Sequence, residues 1–283
     1  MTINKVGVIG SGLMGSGIAE QSARCGFDVV VREINPEAVE AGQKRIFGSM
    51  TRGLERGKMT QEAHDEAVAR LSFTTEVEAL ADCDIIIEAA TENMALKKEI
   101  FADLDRLAKA DAILATNTSS LSIAEIAAAT SRPDKVLGIH FFNPVPVMPL
   151  IEYVRGLLTS DETMAAARQF GADLGKQTVE SQDRPGFIVN RLLIPYALDA
   201  IRILEEGVAT RDDIDLGIKL GLAHPMGPLT LSDFVGLDTL LFIADAMYDE
   251  FKDPRYAAPP LLRRMVTAGY HGRKTGKGFY DYS

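Results

Sequence analysis

Along the first 180 residues, short apolar runs alternate with stretches whose apolar residues recur every third or fourth position. Residues 3–9, 29–31, 83–88, 112–116 and 135–141 are compact apolar runs bounded by glycine or polar turns. Runs of that length predict buried strands, and shorter strands follow at 71–74, about 150–154 and 176–180. The periodic stretches predict helices from Leu13 onward and over 36–57, 60–70, 95–109 and 161–174. Strand and helix in alternation predict an α/β fold built on a Rossmann-like, doubly wound sheet. The pattern changes at Asp183-Arg184-Pro185-Gly186, after which only helical periodicity remains, over 187–206, 211–220, 228–249 and 259–269. Two domains are expected: 1–183, with a helical insertion at about 36–70, and an all-helical 184–283. In the second, Leu192, Leu193, Ile194, Leu198, Ile201 and Leu204 surround much of the first helix. Such a helix needs partners on several sides, whether a crowded core or a second copy of the chain.

Composition narrows the class. The 283 residues are 46% hydrophobic and 25% charged, ordinary for a soluble globular protein, with a net charge of −10. That sign argues against a general binder of nucleic acid or anionic membrane. The two cysteines, Cys25 and Cys83, make neither a disulfide framework nor a metal cluster. No apolar run reaches membrane-spanning length and no charged leader precedes the first strand, so a cytoplasmic location without metal is expected.

The first strand meets Gly10-Ser11-Gly12-Leu13-Met14-Gly15, a helix and a second strand that ends at Glu33. Gly10 allows a tight turn, Gly12 leaves room for a pyrophosphate and Gly15 lets helix and strand approach. The helix N-terminus supplies N–H donors and positive dipole, and Glu33 is placed to accept from ribose hydroxyls. A glycine-rich turn alone would be weak; strand, glycines, helix, strand and acid in order predict a Rossmann-like dinucleotide site.

Other residues carry alternatives. Arg45, Ser49, Arg52 and Arg56 form a narrow stripe on the helix over 36–57, with Lys58 just beyond and apolar Ile46, Phe47, Met50 and Leu54 opposite. The stripe reads as a solvated face or a phosphate-binding one; its lack of acids in so acidic a chain favours the second. Open parallel sheets bind ligands beyond the carboxyl ends of their strands. Ser119, His140 and the region of Glu92 all lie at such ends. Of the four histidines only His140 ends an apolar strand, with Glu152 near the start of the next. A carboxylate against the ring would fix its tautomer and stabilise the imidazolium, although a core histidine bonded to backbone fits as well. Ser119 is either a turn serine or, with Ser120 and Ser122 better placed as caps, a free hydroxyl. Asn190, near the start of the second domain, could reach across to the same region or be an ordinary polar position.

The stretches VGVIGSGLMGSGIA, ATNTSSLSI, GIHFFNPVPVMPLIE, DRPGFIVNRLL, HPMGPLTLSDFVGLDT and GRKTGKGFYDY together resemble the short-chain 3-hydroxyacyl-CoA dehydrogenases, nearly end to end. The single-module length is most similar to the bacterial members that act on 3-hydroxybutyryl-CoA. The resemblance implies an NAD-dependent oxidoreductase of fatty acid and butyrate metabolism, interconverting an (S)-3-hydroxyacyl-CoA and its 3-keto ester. His140 would be the catalytic base and Glu152 its partner; Ser119 and Asn190 would contact the substrate oxygen and the reacting histidine. Glu92, Lys97, Asn117, Ser119, Asn143 and Lys274 would join the glycine loop and Glu33 in holding the cofactor. Ser49, Arg52, Arg56 and Lys58 would hold coenzyme A. A homodimer or higher homo-oligomer through the C-terminal domain is implied. Glu33 stands where the family more often has Asp, and Arg32 beside it leaves NADP possible. Sugar-acid dehydrogenases and non-catalytic lens crystallins share the resemblance; a lost His140 or Glu152 would have favoured the latter.

Overall fold

The computed structural model describes residues 2–283, which divide into two compact units, one running to Arg184 and the other Pro185–Ser283. In the first, β1 (Lys5–Ile9), α1 (Leu13–Arg24) and β2 (Asp28–Arg32) form a βαβ unit. Next come α2 (Pro36–Glu55), α3 (Gln61–Ala69), β3 (Leu71–Thr74), β4 (Ile85–Glu88), α4 (Met94–Leu107), β5 (Ile113–Thr116) and α5 (Ile123–Ala127). The unit closes with β6 (Val136–Phe141), β7 (Leu150–Arg155), α6 (Asp161–Asp173) and β8 (Gln177–Gln182). The eight strands form one sheet in the order β3-β2-β1-β4-β5-β6-β7-β8. All neighbours run parallel except β6 and β7, which are antiparallel. Strand order reverses direction between β1 and β4, and this is where doubly wound sheets bind ligands.

Burial explains the apolar runs. Val6, Val8, Val29, Val31, Ile85, Ile87, Ile113 and Ile139 sit in one core on a single sheet face, each 1% exposed or less. Fully burying such a side chain is worth about 1.5–3 kcal/mol. Helix α2 shows how local signals set an element. Asn35 caps it by accepting from Ala38 N–H at 2.8 Å, and Pro36 takes the first helical position, where no N–H is needed. It ends at Glu55, and the chain turns away at Gly57 (φ +65°), where Gly57 and Lys58 N–H return to the carbonyls of Leu54 and Gly53.

The second unit is helical: α7 (Val189–Glu205), α8 (Arg211–Gly221), α9 (Pro228–Val235), α10 (Leu237–Phe251) and α11 (Pro260–Thr267). Its core gathers Ile194, Leu198, Ile201, Leu229, Leu240 and Met247. So Ile194, Leu198 and Ile201 of α7 are core, whereas Leu192 is 71% exposed. Two helix boundaries differ from the periodicity. The stretch 228–249 is two helices, because Gly236 (φ +100°) turns the chain between them; a Cβ there would lie 3.1 Å from an Asp238 carboxylate oxygen. Helix α7 starts at Val189 instead of 187 because Gly186 and Phe187 both have positive φ, +80° and +48°. Among the described residues no helix is long and apolar enough to cross a membrane.

Candidate active site

The glycine loop joins β1 to α1 at the reversal point of the sheet. Gly10 has φ +88°, and a Cβ on it would lie 2.9 Å from Ala89 O, so both conformation and contact require glycine. A Cβ on Gly15 would fall 1.9 Å from Gly10 O, which fixes how closely α1 packs on the loop. Gly12 is different: a Cβ there meets nothing within 4 Å. Gly12 is also the N-cap of α1, no side chain caps the helix and its first turn carries no acid. Open space in front of uncapped N–H groups and a positive helix end suits a pyrophosphate. The residues present therefore fit a dinucleotide.

Glu33 reaches back to this loop. Its Oε1 accepts from Ser11 N–H at 2.5 Å and Ser11 Oγ–H at 2.8 Å, and Oε2 accepts from Ile34 N–H at 3.1 Å. A carboxylate offers about four acceptor directions, so one remains for a ribose hydroxyl. From the other side, the Arg45 guanidinium donates to Ser11 O, and Gly42 of α2 leaves room for the serine hydroxyl. The first member of the basic stripe is thus spent on the cofactor loop. The stripe divides: Arg52, Arg56 and Lys58 are exposed and join no ion pair among the described residues, while Ser49 is half-buried.

His140 and Glu152 are cross-strand partners in the antiparallel register of β6 and β7. Direct opposition brings the side chains together: His140 Nδ1 donates to Glu152 Oε2 at 2.7 Å. Glu152 is fully buried and His140 is 8% exposed, with Phe142 tilted against the imidazole at 4.6 Å between centroids. A carboxylate only accepts, so the proton sits on Nδ1 and Nε2 is the ring nitrogen that can exchange a proton with substrate. Asn117, expected at the cofactor, uses its Oδ1 to accept from Phe141 N–H at 2.9 Å, tying the end of β5 to the end of β6 beside His140.

Ser119 is held by Glu92, whose Oε1 accepts from Ser119 N–H at 2.8 Å, Ser119 Oγ–H at 3.3 Å and Thr118 Oγ–H at 3.0 Å. The other oxygen, Glu92 Oε2, is buried without a hydrogen bond and lies 3.5 Å from the Lys97 ammonium. Lys97, expected to touch the cofactor, is 1% exposed and pairs with Glu88 at 2.7 Å. Glu88 carried no role in the sequence; an acid closing the run Ile85-Ile86-Ile87 was the signal. In the second unit Asn190 is buried in the first turn of α7, and Lys274 donates to Asp238 at 2.5 Å. Asn143 is exposed in the β6–β7 turn.

Known proteins similar to this chain are numerous. The model of the 3-hydroxyacyl-CoA dehydrogenase NAD-binding domain matches residues 5–184, and that of the family's C-terminal domain matches 186–282. A 3-hydroxybutyryl-CoA dehydrogenase of Mycobacterium tuberculosis is 54% identical over 282 residues, covering 99% of each chain. Among solved structures, M. tuberculosis FadB2 is 53% identical with a TM-score of 0.98. The (S)-3-hydroxybutyryl-CoA dehydrogenase from Ralstonia eutropha is 46% identical with a TM-score of 0.95. Both cover 100% of this chain and of their own. Similarity of that depth over both units establishes that the chain belongs to the 3-hydroxyacyl-CoA dehydrogenase family.

Proposed function

We propose that the protein interconverts (S)-3-hydroxybutyryl-CoA and acetoacetyl-CoA, with NAD as its cofactor. The observation that carries the chemistry is the His140–Glu152 hydrogen bond of 2.7 Å at the carboxyl end of β6. When bound, the nicotinamide supplies the hydride acceptor or donor for the substrate's C3 carbon. The chain's own task is the proton on the C3 oxygen. His140 takes it at Nε2 in oxidation and returns it in reduction. Glu152 orients the ring through Nδ1 and balances the charge of the imidazolium. Asn190 donates a hydrogen bond to the same oxygen as negative charge develops on it, and Ser119, whose hydroxyl rests on Glu92 without substrate, turns its O–H to that oxygen once substrate binds. The glycine loop and Glu33 hold the adenosine side of the cofactor, and Glu92, Lys97, Asn117, Asn143 and Lys274 are assigned to its remainder. Ser49, Arg52, Arg56 and Lys58 face the phosphates of coenzyme A.

The ribose-binding carboxylate of Glu33 repels a 2′-phosphate, so NADH is preferred over NADPH. The reading also includes a cytoplasmic enzyme that self-associates through its C-terminal unit, where Leu192, Leu216 and Leu220 are exposed. NADH oxidation measured with acetoacetyl-CoA, longer 3-ketoacyl-CoA esters and free keto acids tests the assignment. Acetoacetyl-CoA is expected to give the highest kcat/KM of the panel, and a preference for a free keto acid would overturn the substrate.

A further inference from the structure

Glu88 is the last residue of β4, between Ile9 of β1 and Thr116 of β5, at the reversal point of the sheet. Strands in that position are buried on both faces and ordinarily carry aliphatic side chains. Glu88 is fully buried, and both its oxygens are engaged. Oε1 accepts from Ala90 N–H and Lys97 Nζ, each at 2.7 Å; Oε2 accepts from Thr116 Oγ–H at 2.7 Å and Lys97 Nζ at 2.9 Å. Removing two ions from water costs about what their attraction returns, so such a pair adds little to stability relative to packed apolar groups. Its contribution is geometric.

We propose that Glu88 is a positioning residue for Ser119, acting through Lys97 and Glu92. The Lys97 ammonium, anchored by Glu88, faces Glu92 Oε2 at 3.5 Å, too far for a strong hydrogen bond but close for an ion pair. Glu92 turns its other oxygen to Thr118 and to both the N–H and the hydroxyl of Ser119. Glu88 holds the ammonium back, and the ammonium sets which way the Glu92 carboxylate faces. With the charge of Glu88 removed, a buried ammonium is left with Glu92 as its nearest anion. It moves toward that carboxylate, which turns away from Ser119. The inference rests on Ser119 acting at the substrate oxygen, as read above.

A double-mutant cycle with Glu88→Gln and Ser119→Ala tests both. The readout is kcat for acetoacetyl-CoA at saturating NADH, with far-UV circular dichroism as the check on folding. Glu88→Gln alone is expected to lower kcat about 10–100-fold, the cost of misplacing a group at the reacting centre. In the Ser119→Ala background the same change should cost less than about twofold, because residues that act as a unit are not additive. A wild-type kcat in Ser119→Ala overturns the reading of Ser119 itself. An impaired Ser119→Ala in which Glu88→Gln still costs its full factor overturns only the role of Glu88. If Glu88→Gln does not fold, Glu88→Asp, which keeps the charge but draws it back from the Lys97 ammonium by one methylene, replaces it in the cycle, with the same outcomes deciding.

Discussion

His140 meets Glu152 because antiparallel register places them opposite each other, and at 2.7 Å the contact is short enough to lock the ring. Replacing His140 by Ala should lower turnover about 10²–10⁴-fold, the range for a lost acid–base group, while NADH binding, read by fluorescence titration, stays within a fewfold of wild type. Glu152→Gln keeps the shape but not the charge, so turnover should fall while NADH binding persists. Near-normal turnover in the His140 variant would remove the residue from the mechanism. This dyad was legible in the sequence: one histidine ended an apolar strand and one acid opened the next. Glu88 and Lys97 were not legible as a pair. A lysine in the first turn of a helix reads as solvent-exposed, and only the seating of α4 over the end of β4 buries it. The resemblance implies Asn117 as a cofactor contact, yet its bond to Phe141 N–H needs two strand ends to meet, which periodicity does not reveal.

The basic face of helix α2 divides in the structure, and the sequence showed only that the face was basic. Arg45 is drawn to Ser11 O because Gly42, one turn earlier, lets the glycine loop approach; Arg52, Arg56 and Lys58, farther along, meet no carboxylate among the described residues. The two ends should therefore fail differently. Arg56→Ala/Lys58→Ala should raise KM for acetoacetyl-CoA several-fold at low salt and leave KM for NADH unchanged. The effect should shrink as ionic strength rises, since exposed charges are screened over about 8–10 Å at 0.1–0.15 M. Arg45→Ala should instead raise KM for NADH, because the Ser11 carbonyl loses its donor. If both variants change the same KM, the division of the helix is wrong; if neither does, the stripe is a solvated face. The break between α9 and α10 was hidden for a related reason. Gly236 sits in an apolar pattern that continues across it, and nothing local announces that its φ is positive.

Each unit is locked by a buried aspartate, and the two respond to acid in opposite directions. In the first, Asp84 accepts from Asn4 N–H at 2.7 Å, Lys5 N–H at 2.8 Å and Lys109 Nζ, joining the start of β1 to the approach to β4. Burial pushes its carboxyl up, but the bond from Lys109 and the two backbone N–H groups outweigh it and hold it below the ordinary 3.8. In the second unit Asp233 accepts from Phe279 and Tyr280 N–H, each at 2.9 Å, and from Tyr282 Oη–H at 3.1 Å, pinning the C-terminal segment. Here burial prevails over those bonds and raises the carboxyl above 3.8. A depressed carboxyl stabilises the fold above its unfolded value and loses that contribution as pH falls through its folded value. A raised one contributes below the unfolded value and loses that contribution as pH rises through the folded one. Asp84→Asn should therefore be destabilising at pH 7. A net loss of about 2 kcal/mol, on the scale of one charged hydrogen bond, lowers the Tm of a domain this size by roughly 4–8 °C. The deficit should narrow as pH falls below 3.8 and close only where the folded wild-type carboxyl, held lower than that, also takes up a proton. Asp233→Asn should show the reverse trend, its effect most favourable at neutral pH, where the wild type keeps a buried carboxylate ionised. Calorimetric scans of the three proteins between pH 3 and 7 separate these courses. A Tm difference for Asp84→Asn that stays constant across the range would mean that its charge contributes nothing and that shape alone holds the strand.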